Sequence, residues 1–374
     1  MILSIWLFLL AVFFVVVNGA TQLFYAQSLG YKLKPTGLAY FVGAIGNLLT
    51  GSVVPISGQA ETITMSGLIK NLNVRVAALL IASAVGIFLG VTGLLSRIVE
   101  FSGTTVISGM MAGVGLILAS VGVSLARQEI RTGVISILSA VAVWILSHDV
   151  VYTIAASVFL SSLDYCLLQK RRVSLEDVAK EAGIEAESTN WKFWTKEYWA
   201  DFKLIRPRFT LGAVMGGLGF ICLNIGSNIS FGNITASIAG VEPKLNALSC
   251  INSLADIPSV LLGGMPIEAI ISGTAGAPWP VAAGVAMMAV SGALLLTGLM
   301  TKIGRYVPSQ SIAGFLLIIG FSLTLVPNLN AVAASESPLE GIVAASVTML
   351  TNNAFIGMVA GVIVKITGNL FGLV

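Results

Sequence analysis

The chain has 374 residues, of which 56% are hydrophobic and only 10% are charged, and its mean hydropathy is +0.95. Soluble globular domains are about 45–50% apolar, so this composition excludes an ordinary soluble domain and is typical of helices that face lipid. The net charge of +3 is small and gives no indication of a nucleic-acid partner, and the three cysteines lack the spacing of a metal site. We therefore expect a membrane protein with no metal or other cofactor and no nucleic-acid partner.

The first apolar run covers residues 2–17, and no basic residue precedes it. A cleavable signal peptide would begin with a basic region, so this run is predicted to be a retained first helix of a multi-pass protein of the inner (cell) membrane. Further apolar runs give about seven segments in each half of the chain. The predicted segments are residues 3–25, 36–50, 56–70, 74–95, 102–125, 132–147 and 149–168, then 209–229, 243–262, 267–276, 280–301, 307–326, 338–352 and 354–372.

Two short polar segments, residues 51–62 and 263–276, share a pattern of Gly, Pro, Ile and a Ser-Gly pair with one acid. Because proline removes a backbone donor and restricts the residue before it, each is predicted to enter the membrane as extended chain and then to become a half-helix. Two facing half-helix ends, with free N–H groups and positive dipole ends, would bind an anionic or acceptor-rich planar solute. The residues predicted to bind it there are Ser57, Gly58, Gln59, Ser272, Gly273 and Thr274.

Each broken segment carries one acid, Glu61 in the first and Glu268 in the second. A carboxylate near mid-membrane costs about 2.5–3.5 kcal/mol on insertion scales, so we interpret both acids as proton-coupling residues. The alternative is that one or both lie near the membrane surface and only satisfy backbone groups. Asp256, in the span before the second break, is either a helix-terminal cap or a supporting partner of the site.

Asparagines recur near the ends of predicted spans. Asn224 is predicted to bind the solute, and Asn18 and Asn252 to support the site, although hydrogen bonding between helices is the alternative. The sequence contains no nucleotide-binding or hydrolase motif, so we expect neither ATP-driven transport nor an enzyme.

A hydrophilic linker, residues 169–208, separates the two halves. It opens with Lys170-Arg171-Arg172, and residues 174–177 have the form of a capping box for a short helix that Gly183 would end. Aromatic residues then follow at helical spacing between lysines, which predicts an amphipathic helix at the headgroup level, with a partner-docking helix as the alternative. These aromatic residues are Trp191, Trp194, Tyr198 and Phe202.

Basic residues near the span ends fall in alternate loops. The positive-inside rule would place these loops in the cytoplasm and the N-terminus outside. The residues are Lys32, Lys34, Lys70, Arg75, Arg127, Arg131, those of the linker, Lys302 and Arg305.

One stretch of sequence occurs twice, once in each half. Residues 93–98 (Gly-Leu-Leu-Ser-Arg-Ile) recur as residues 298–303 (Gly-Leu-Met-Thr-Lys-Ile). Related halves that move against each other around a central site are typical of secondary transporters, so transport is the first hypothesis. Two spaced glycines follow each copy: Gly109 and Gly115, then Gly314 and Gly320.

Four stretches, by their order and spacing over nearly the whole chain, resemble the nucleobase–ascorbate transporter family of uracil and xanthine permeases. That family shares a fold of two inverted seven-segment repeats with the sulfate permeases. The stretches are residues 18–21 (Asn-Gly-Ala-Thr, similar to the family's Gly-Ala-Thr), residues 44–49 (Ala-Ile-Gly-Asn-Leu-Leu, similar to its Gly-Ile-Gly-Thr-Leu-Leu), residues 252–266, and Val307-Pro308 with Gly314 and Gly320.

The resemblance implies an all-α membrane protein in which a core domain moves like an elevator against a gate domain, often within a homodimer. Both termini would then be cytoplasmic, against the charge pattern. Proton-coupled members carry acids on the eighth span and the tenth segment, where this chain has Leu223 or Asn224, and Ser272; this departure leaves the substrate and the coupling open. The implied ranges are 1–101 and 209–303 for the core domain, 102–168 and 304–374 for the gate domain, and 169–208 for the linker.

The sequence thus predicts a permease for a small planar or anionic solute of the uracil, xanthine or guanine class, in symport with a proton or sodium ion. The alternative is a transporter of sulfate or a carboxylate with the same fold. The missing acids favour that alternative, and the absence of a regulatory domain after residue 374 disfavours it. A third hypothesis is a non-transporting membrane sensor or scaffold, for which the aromatic linker is the main support.

Overall fold

The computed structural model describes residues 2–148, 150–169 and 190–371, with positions 173, 174, 177, 180, 187 and 188. The first half contains α1 (Ile2–Ser28), α2 (Leu33–Thr50), β1 (Ile56–Ser57), α3 (Ala60–Gly67), α4 (Leu72–Thr92), α5 (Leu94–Ser102), α6 (Thr104–Gln128), α7 (Ile130–Ser147) and α8 (Val150–Leu163), which continues as a π-helical turn (Asp164–Leu168).

The second half begins with the short linker helix. It contains α9 (Lys196–Ala200), α10 (Leu211–Ile238), α11 (Leu245–Leu261), β2 (Glu268–Ala269), a 3-10 turn (Gly273–Gly276), α12 (Pro280–Leu296), α13 (Leu299–Gly304), a 3-10 turn (Ser309–Ile312), α14 (Ala313–Ile318), a π-helical stretch (Ile319–Leu325), α15 (Val326–Ala333), α16 (Pro338–Thr351) and α17 (Ala354–Phe371).

Six helical stretches in the described part of the chain are long and apolar enough to cross a membrane. Shorter apolar helices accompany them, which agrees with the predicted multi-span, all-α fold. The six stretches are Leu3–Ser28, Leu72–Thr92, Thr104–Gln128, Ile130–Ser147, Leu211–Ile238 and Ser309–Ala333.

Both predicted breaks are present, and the two broken segments meet. β1 and β2 pair antiparallel, with Ser57 opposite Glu268 and Ile56 opposite Ala269. This pairing gives hydrogen-bond partners to backbone groups that would otherwise be unsatisfied inside the membrane. The helical parts differ, because α3 has eight residues whereas the second segment forms only the 3-10 turn Gly273–Gly276.

The helices pack as two sets. Helices α1–α4 and α10–α12 contact mainly one another, and we call them the first helix group; α6–α8 and α14–α17 do likewise and form the second helix group. The division into a core domain and a gate domain that move against each other stays a prediction.

The sequence repeated in the two halves forms α5 and α13, which connect the two helix groups. Gly93 and Gly298 precede these helices with left-handed φ angles of 69° and 68°. A residue with a side chain rarely adopts this conformation, which explains why both copies begin with glycine.

Glycines that follow the repeated sequence allow α6 and the π-helical stretch to touch. A Cβ on Gly115 would lie 2.6 Å from the Gly320 carbonyl oxygen, and a Cβ on Gly320 would lie 2.6 Å from that of Gly115. Small residues permit such close backbone approach between membrane helices.

The linker returns along one end of the bundle, which we call the linker face. Asn73, at the start of α4, donates its side-chain N–H to the Arg206 carbonyl (2.9 Å), and Lys32 Nζ donates to the Asp201 carbonyl (3.2 Å). Helix α4 runs 21 residues from this face, about 31 Å, so α5 lies at the opposite end. Because α13 contacts the linker, the two connecting helices lie at opposite ends, as an inverted repeat requires.

A buried acid fastens the linker to α2 and α13. Glu187 accepts hydrogen bonds from the N–H groups of Leu33 (2.9 Å) and Lys34 (2.5 Å) and from Thr301 Oγ1 (2.8 Å). Burial raises the pKa of Glu187 above its usual range, although these three donors act in the other direction. Lys34 in turn forms a buried ion pair with Asp201, with Nζ and Oδ2 2.6 Å apart.

The amphipathic helix predicted across the linker's aromatic residues is wrong in extent, since only Lys196–Ala200 is helical. Tyr198 is buried, while Trp191 and Trp194 are exposed and precede the helix. The ion pair of Asp201 and the hydrogen bonds of Glu187, both with residues at the start of α2, hold the segment along the end of the bundle instead. Ser174 Oγ accepts from the Asp177 N–H (3.3 Å), as a cap would. Residues 170–172, 175, 176 and 183 lie outside the described part of the chain.

Candidate functional site

A cavity of about 420 Å³ lies beside the crossing of the broken segments, between the two helix groups. Its walls are mostly apolar. Polar groups come from Gln22 of α1, from Gln59 and Glu61 at the start of α3, and from the backbone at Gly273. Among the described residues, no lysine, arginine or histidine lines it. The other lining residues are Ala11, Phe14, Val15, Ile154, Phe231, Ile270, Ile271, Ile319 and Leu323.

Gln59 stands at the N-cap position of α3 and is only 2% exposed. Its side-chain oxygen accepts from Ser227 Oγ (3.2 Å), but its Nε2 has no hydrogen-bond partner in the described part of the chain. The Oε1 of Gln22 also lacks one there. A buried polar group left unpaired costs about 1–3 kcal/mol, so one free donor and one free acceptor on a cavity wall favour a bound ligand.

Glu61 lies in the first turn of α3 and also lines the cavity. Its Oε1 accepts a hydrogen bond from Thr324 Oγ1 at 3.0 Å. Glu61 belongs to the first helix group and Thr324 to the second, so this bond crosses the boundary between them. The side chain of Glu61 is only 3% exposed, so it is enclosed by protein, and its depth in the membrane stays a prediction.

Glu268 is also buried, but it faces the interior of the first helix group. One carboxylate oxygen accepts from Asn224 Nδ2 (2.5 Å) and from Asn252 Nδ2 (3.2 Å). Asn228 links the two amides: its Nδ2 donates to Asn224 (2.7 Å) and its Oδ1 accepts from Asn252 (2.9 Å). The Oδ1 of Asn252 finds no donor among the described residues.

The position of Glu268 differs from the expected half-helix, because the residue lies in β2. The antiparallel pairing holds the chain extended at this point, so Glu268 and Ser272 are not one helical turn apart. Asp256 supports the break from within α11, where its Oδ1 accepts the N–H of Ile267 (2.8 Å). Asp256 is therefore not a helix-terminal cap, and its role as a supporting partner of the solute site stays a prediction.

Five of the seven residues predicted to bind the solute are buried away from the cavity wall. Gln59 and Gly273 line it, whereas Asn224 belongs to the cluster around Glu268. The other four bond to neighbours in the protein, and Thr235 Oγ1 accepts the Ser272 N–H (3.2 Å). Their bonds are Ser57 Oγ to Tyr40 Oη (2.6 Å), the Gly58 N–H to Tyr40 Oη (3.3 Å), and Ser272 Oγ to Thr274 Oγ1 (2.7 Å).

Among the predicted supporting residues, Asn252 donates a hydrogen bond to Glu268, and Asp256 accepts one from the Ile267 N–H. Asn18 lies in α1, but its side chain is outside the described part of the structure.

Two residues of the cavity region were missed from the sequence. Gln22 directly follows the Asn-Gly-Ala-Thr stretch at residues 18–21, so its helical position next to a polar motif was an available signal. Thr324 stands in an apolar span, and nothing in the sequence marks it as the partner of Glu61.

No protein-family model and no curated protein matches the chain. Among solved structures, it is similar to the transmembrane domain of a cyanobacterium bicarbonate transporter, BicA, with a TM-score of 0.62 and 14% identity over 94% of this chain and 97% of that one. It is also similar to SLC26A9, with a TM-score of 0.55 and 12% identity over 96% of this chain and 66% of that one.

The chain thus spans about two thirds of the length of SLC26A9. At these identities the likeness concerns the fold, and it does not favour the nucleobase family specifically. The chain therefore shares its multi-span membrane fold with these two structures.

Proposed function

We propose that the chain is a secondary active transporter of a small anion, bound in the cavity beside the crossing. The observation that carries the proposal is the unpaired Nε2 of Gln59 at the N-terminus of α3. This donor and the positive end of the helix dipole both attract an anion, and the attraction is stronger beside mostly apolar walls than in water. The fold comparison supports the same function, since one of the two similar structures is by its name a bicarbonate transporter.

Glu61 couples the anion to a proton in this account. An ionised Glu61 would repel an anion in the same cavity, and the cavity lining holds no cationic side chain to offset that repulsion. When Glu61 takes up a proton, the repulsion ends and the new O–H becomes a donor. Anion and proton therefore bind together and leave together, the proton returning to water as Glu61 ionises.

Glu268 is the site of a second coupled cation, a proton or a sodium ion. Asp256 and Glu268 are both buried, and within the described part of the chain their hydrogen bonds come from amide side chains and a backbone N–H, without a cationic partner. A bound cation would neutralise this charge and use the free Oδ1 of Asn252.

Transport would occur when the first helix group, acting as the core domain, moves against the second, acting as the gate domain. The Glu61–Thr324 hydrogen bond must break in that step, because its two residues belong to different groups. A homodimer in the inner membrane, with the linker face in the cytoplasm, is the arrangement that we propose for the cell.

A nucleobase remains the second candidate, on one specific observation. The free acceptor of Gln22 and the free donor of Gln59 both belong to residues of the cavity wall, as do Phe14 and Phe231. Amide groups of this kind pair with the edge of a planar base, and aromatic rings stack on its face.

Uptake into proteoliposomes tests these proposals together. Labelled bicarbonate, sulfate, uracil, xanthine and guanine would be offered with an inward proton gradient, with an inward sodium gradient, and without either. We expect saturable, gradient-driven uptake of an inorganic anion. Uptake of a base alone would select the second candidate, and no uptake of any solute by folded protein would favour the sensor or scaffold hypothesis.

A further inference from the structure

A second, larger hollow of about 790 Å³ runs between α1 and α8. Its walls are almost wholly apolar. They come from both helix groups, and the hollow ends against α13 and the residues after it. Its lining residues include Phe13, Ala155, Phe159, Leu167, Ile303 and Tyr306.

The hollow is a groove open to the outside of the bundle. Phe13 is 60% exposed, Phe159 65% and Leu167 63%. Phe13 lies in a helix long enough to cross a membrane, and Phe159 and Leu167 lie in a shorter apolar helix, so we expect lipid to surround the groove. A groove with apolar walls at membrane depth has the chemistry of an acyl-chain site.

Two basic residues lie next to one end of the groove. Ile303 and Tyr306 line this end, and the exposed residues Lys302 and Arg305 each come directly before one of them in the sequence. This end lies at the linker face, because Arg305 accepts the Val173 N–H through its carbonyl (2.9 Å) and α13 contacts Glu187. The groove therefore joins an apolar trough to two cations at the level where lipid phosphates lie.

We propose that an anionic phospholipid occupies this groove, with an acyl chain between α1 and α8 and its phosphate at Lys302 and Arg305. The charge at one end selects a lipid over a second copy of this chain, whose own groove end carries the same positive charge. The flexibility of an acyl chain also suits a trough whose two walls belong to different helix groups. This site does not depend on which solute is carried.

The lipid would act on movement as well as on stability. Helix α13 connects the helix groups and begins at the left-handed Gly298. A phosphate on Lys302 and Arg305 holds that connection from the membrane side, while Glu187 holds it from the linker side through Thr301. Anionic lipid is thus expected to set how readily the two groups move apart.

Native mass spectrometry of the detergent-purified protein tests the proposal, with phosphatidylglycerol and phosphatidylcholine as the probes. The double variant Lys302→Gln/Arg305→Gln is expected to bind phosphatidylglycerol about thirtyfold more weakly, because each basic side chain near an anionic lipid contributes about 1 kcal/mol. Binding of phosphatidylcholine, which has no net charge, should stay unchanged. Arg97→Gln is the matched control, since Arg97 is the repeat-related residue on α5 at the opposite end.

A second variant tests the trough itself. Ala155 lines the groove from an exposed position on α8, so Ala155→Trp fills the trough without entering a packed core. It should lower retention of both lipids, whereas Leu146→Trp on the exposed side of α7 should not. The proposal would be overturned if wild type and both groove variants retained phosphatidylglycerol equally. It would also be overturned if the wild-type protein were a dimer without bound lipid and Ala155→Trp dissociated that dimer, because a second copy of the chain would then occupy the groove.

Discussion

Pro55 and Pro266 introduce the two broken segments, and counting two residues from each proline places Ser57 and Glu268 at equivalent positions. The structure pairs these two residues directly across β1 and β2. Equivalent helices support them: Tyr40 of α2 bonds to Ser57, and Asn252 of α11 bonds to Glu268. The first half therefore buries a hydroxyl where the second half buries a carboxyl.

The acids of the two segments consequently have different surroundings. Glu61 comes four residues after Ser57, in the first turn of α3, and faces the cavity and the second helix group. Glu268 is enclosed by amides inside the first helix group. Only the first segment continues into a real half-helix, so only it supplies a dipole end to the cavity. Two copies of one backbone pattern thus place their acids in different surroundings, one at the cavity wall and one inside the first helix group.

The largest effect is expected from Glu268→Gln, which removes the enclosed charge. Cation-driven accumulation should fall about a hundredfold, or about 3 kcal/mol, because the coupled cation loses its counter-charge. Anion affinity should stay within about threefold, since Glu268 is not a cavity residue. Uptake kinetics and binding titrations on one preparation measure both. The exposed Glu336→Gln is the control, and equal losses of affinity and uptake would contradict the separate roles proposed for the two acids.

Glu61→Gln tests the other acid. The amide resembles a protonated carboxyl but cannot release a proton, so proton-driven accumulation should fall about thirtyfold while anion exchange across the membrane is retained. Uptake should also stop rising as the outside pH is lowered. Counterflow and net uptake, measured between pH 5 and 8, separate the two activities. Loss of exchange together with accumulation would show that Glu61 is needed for binding itself.

Gln59→Ala should weaken anion binding about tenfold, because a hydrogen bond to a charged group contributes about 1.5–3 kcal/mol. The KM of uptake should rise with little change in maximal rate. Gln22→Ala is the informative partner, since its free group is an acceptor and an anion gains nothing from it. If Gln22→Ala weakens binding as much as Gln59→Ala, the ligand carries donors and a nucleobase is the better candidate.

The smallest effect is expected from Thr324→Val, which removes the bond across the helix groups. A neutral hydrogen bond contributes about 0.5–1.5 kcal/mol, so the movement that breaks it should become about threefold faster. Maximal uptake should rise accordingly with an unchanged KM, and Thr324→Ser should restore the wild-type rate. A slower rate in Thr324→Val would contradict the role of this bond as a tie between the groups.

Both breaks, their meeting and the burial of both acids could be predicted from the sequence, because Pro55 and Pro266 constrain the backbone locally wherever the rest of the chain goes. The directions in which the two acidic side chains face could not be predicted. The direction of Glu268 depends on the pairing of its strand with Ser57, and the hydrogen-bond partner of Glu61 lies 263 residues away in the sequence. The extent of the linker helix was wrongly predicted for a similar reason, because the distant ion pair of Lys34 with Asp201 outweighs a local helical pattern.

Gly273 allows the most direct test, because a Cβ there would meet no heavy atom within 4 Å and would project from a cavity-lining position. Labelled-anion uptake would be compared for wild type, Gly273→Leu and the neighbouring Gly276→Leu, each checked for an unchanged melting temperature. If the cavity is the solute site, Gly273→Leu abolishes saturable uptake and Gly276→Leu retains at least about half of it. Uptake by folded Gly273→Leu within twofold of the wild-type rate would contradict the account.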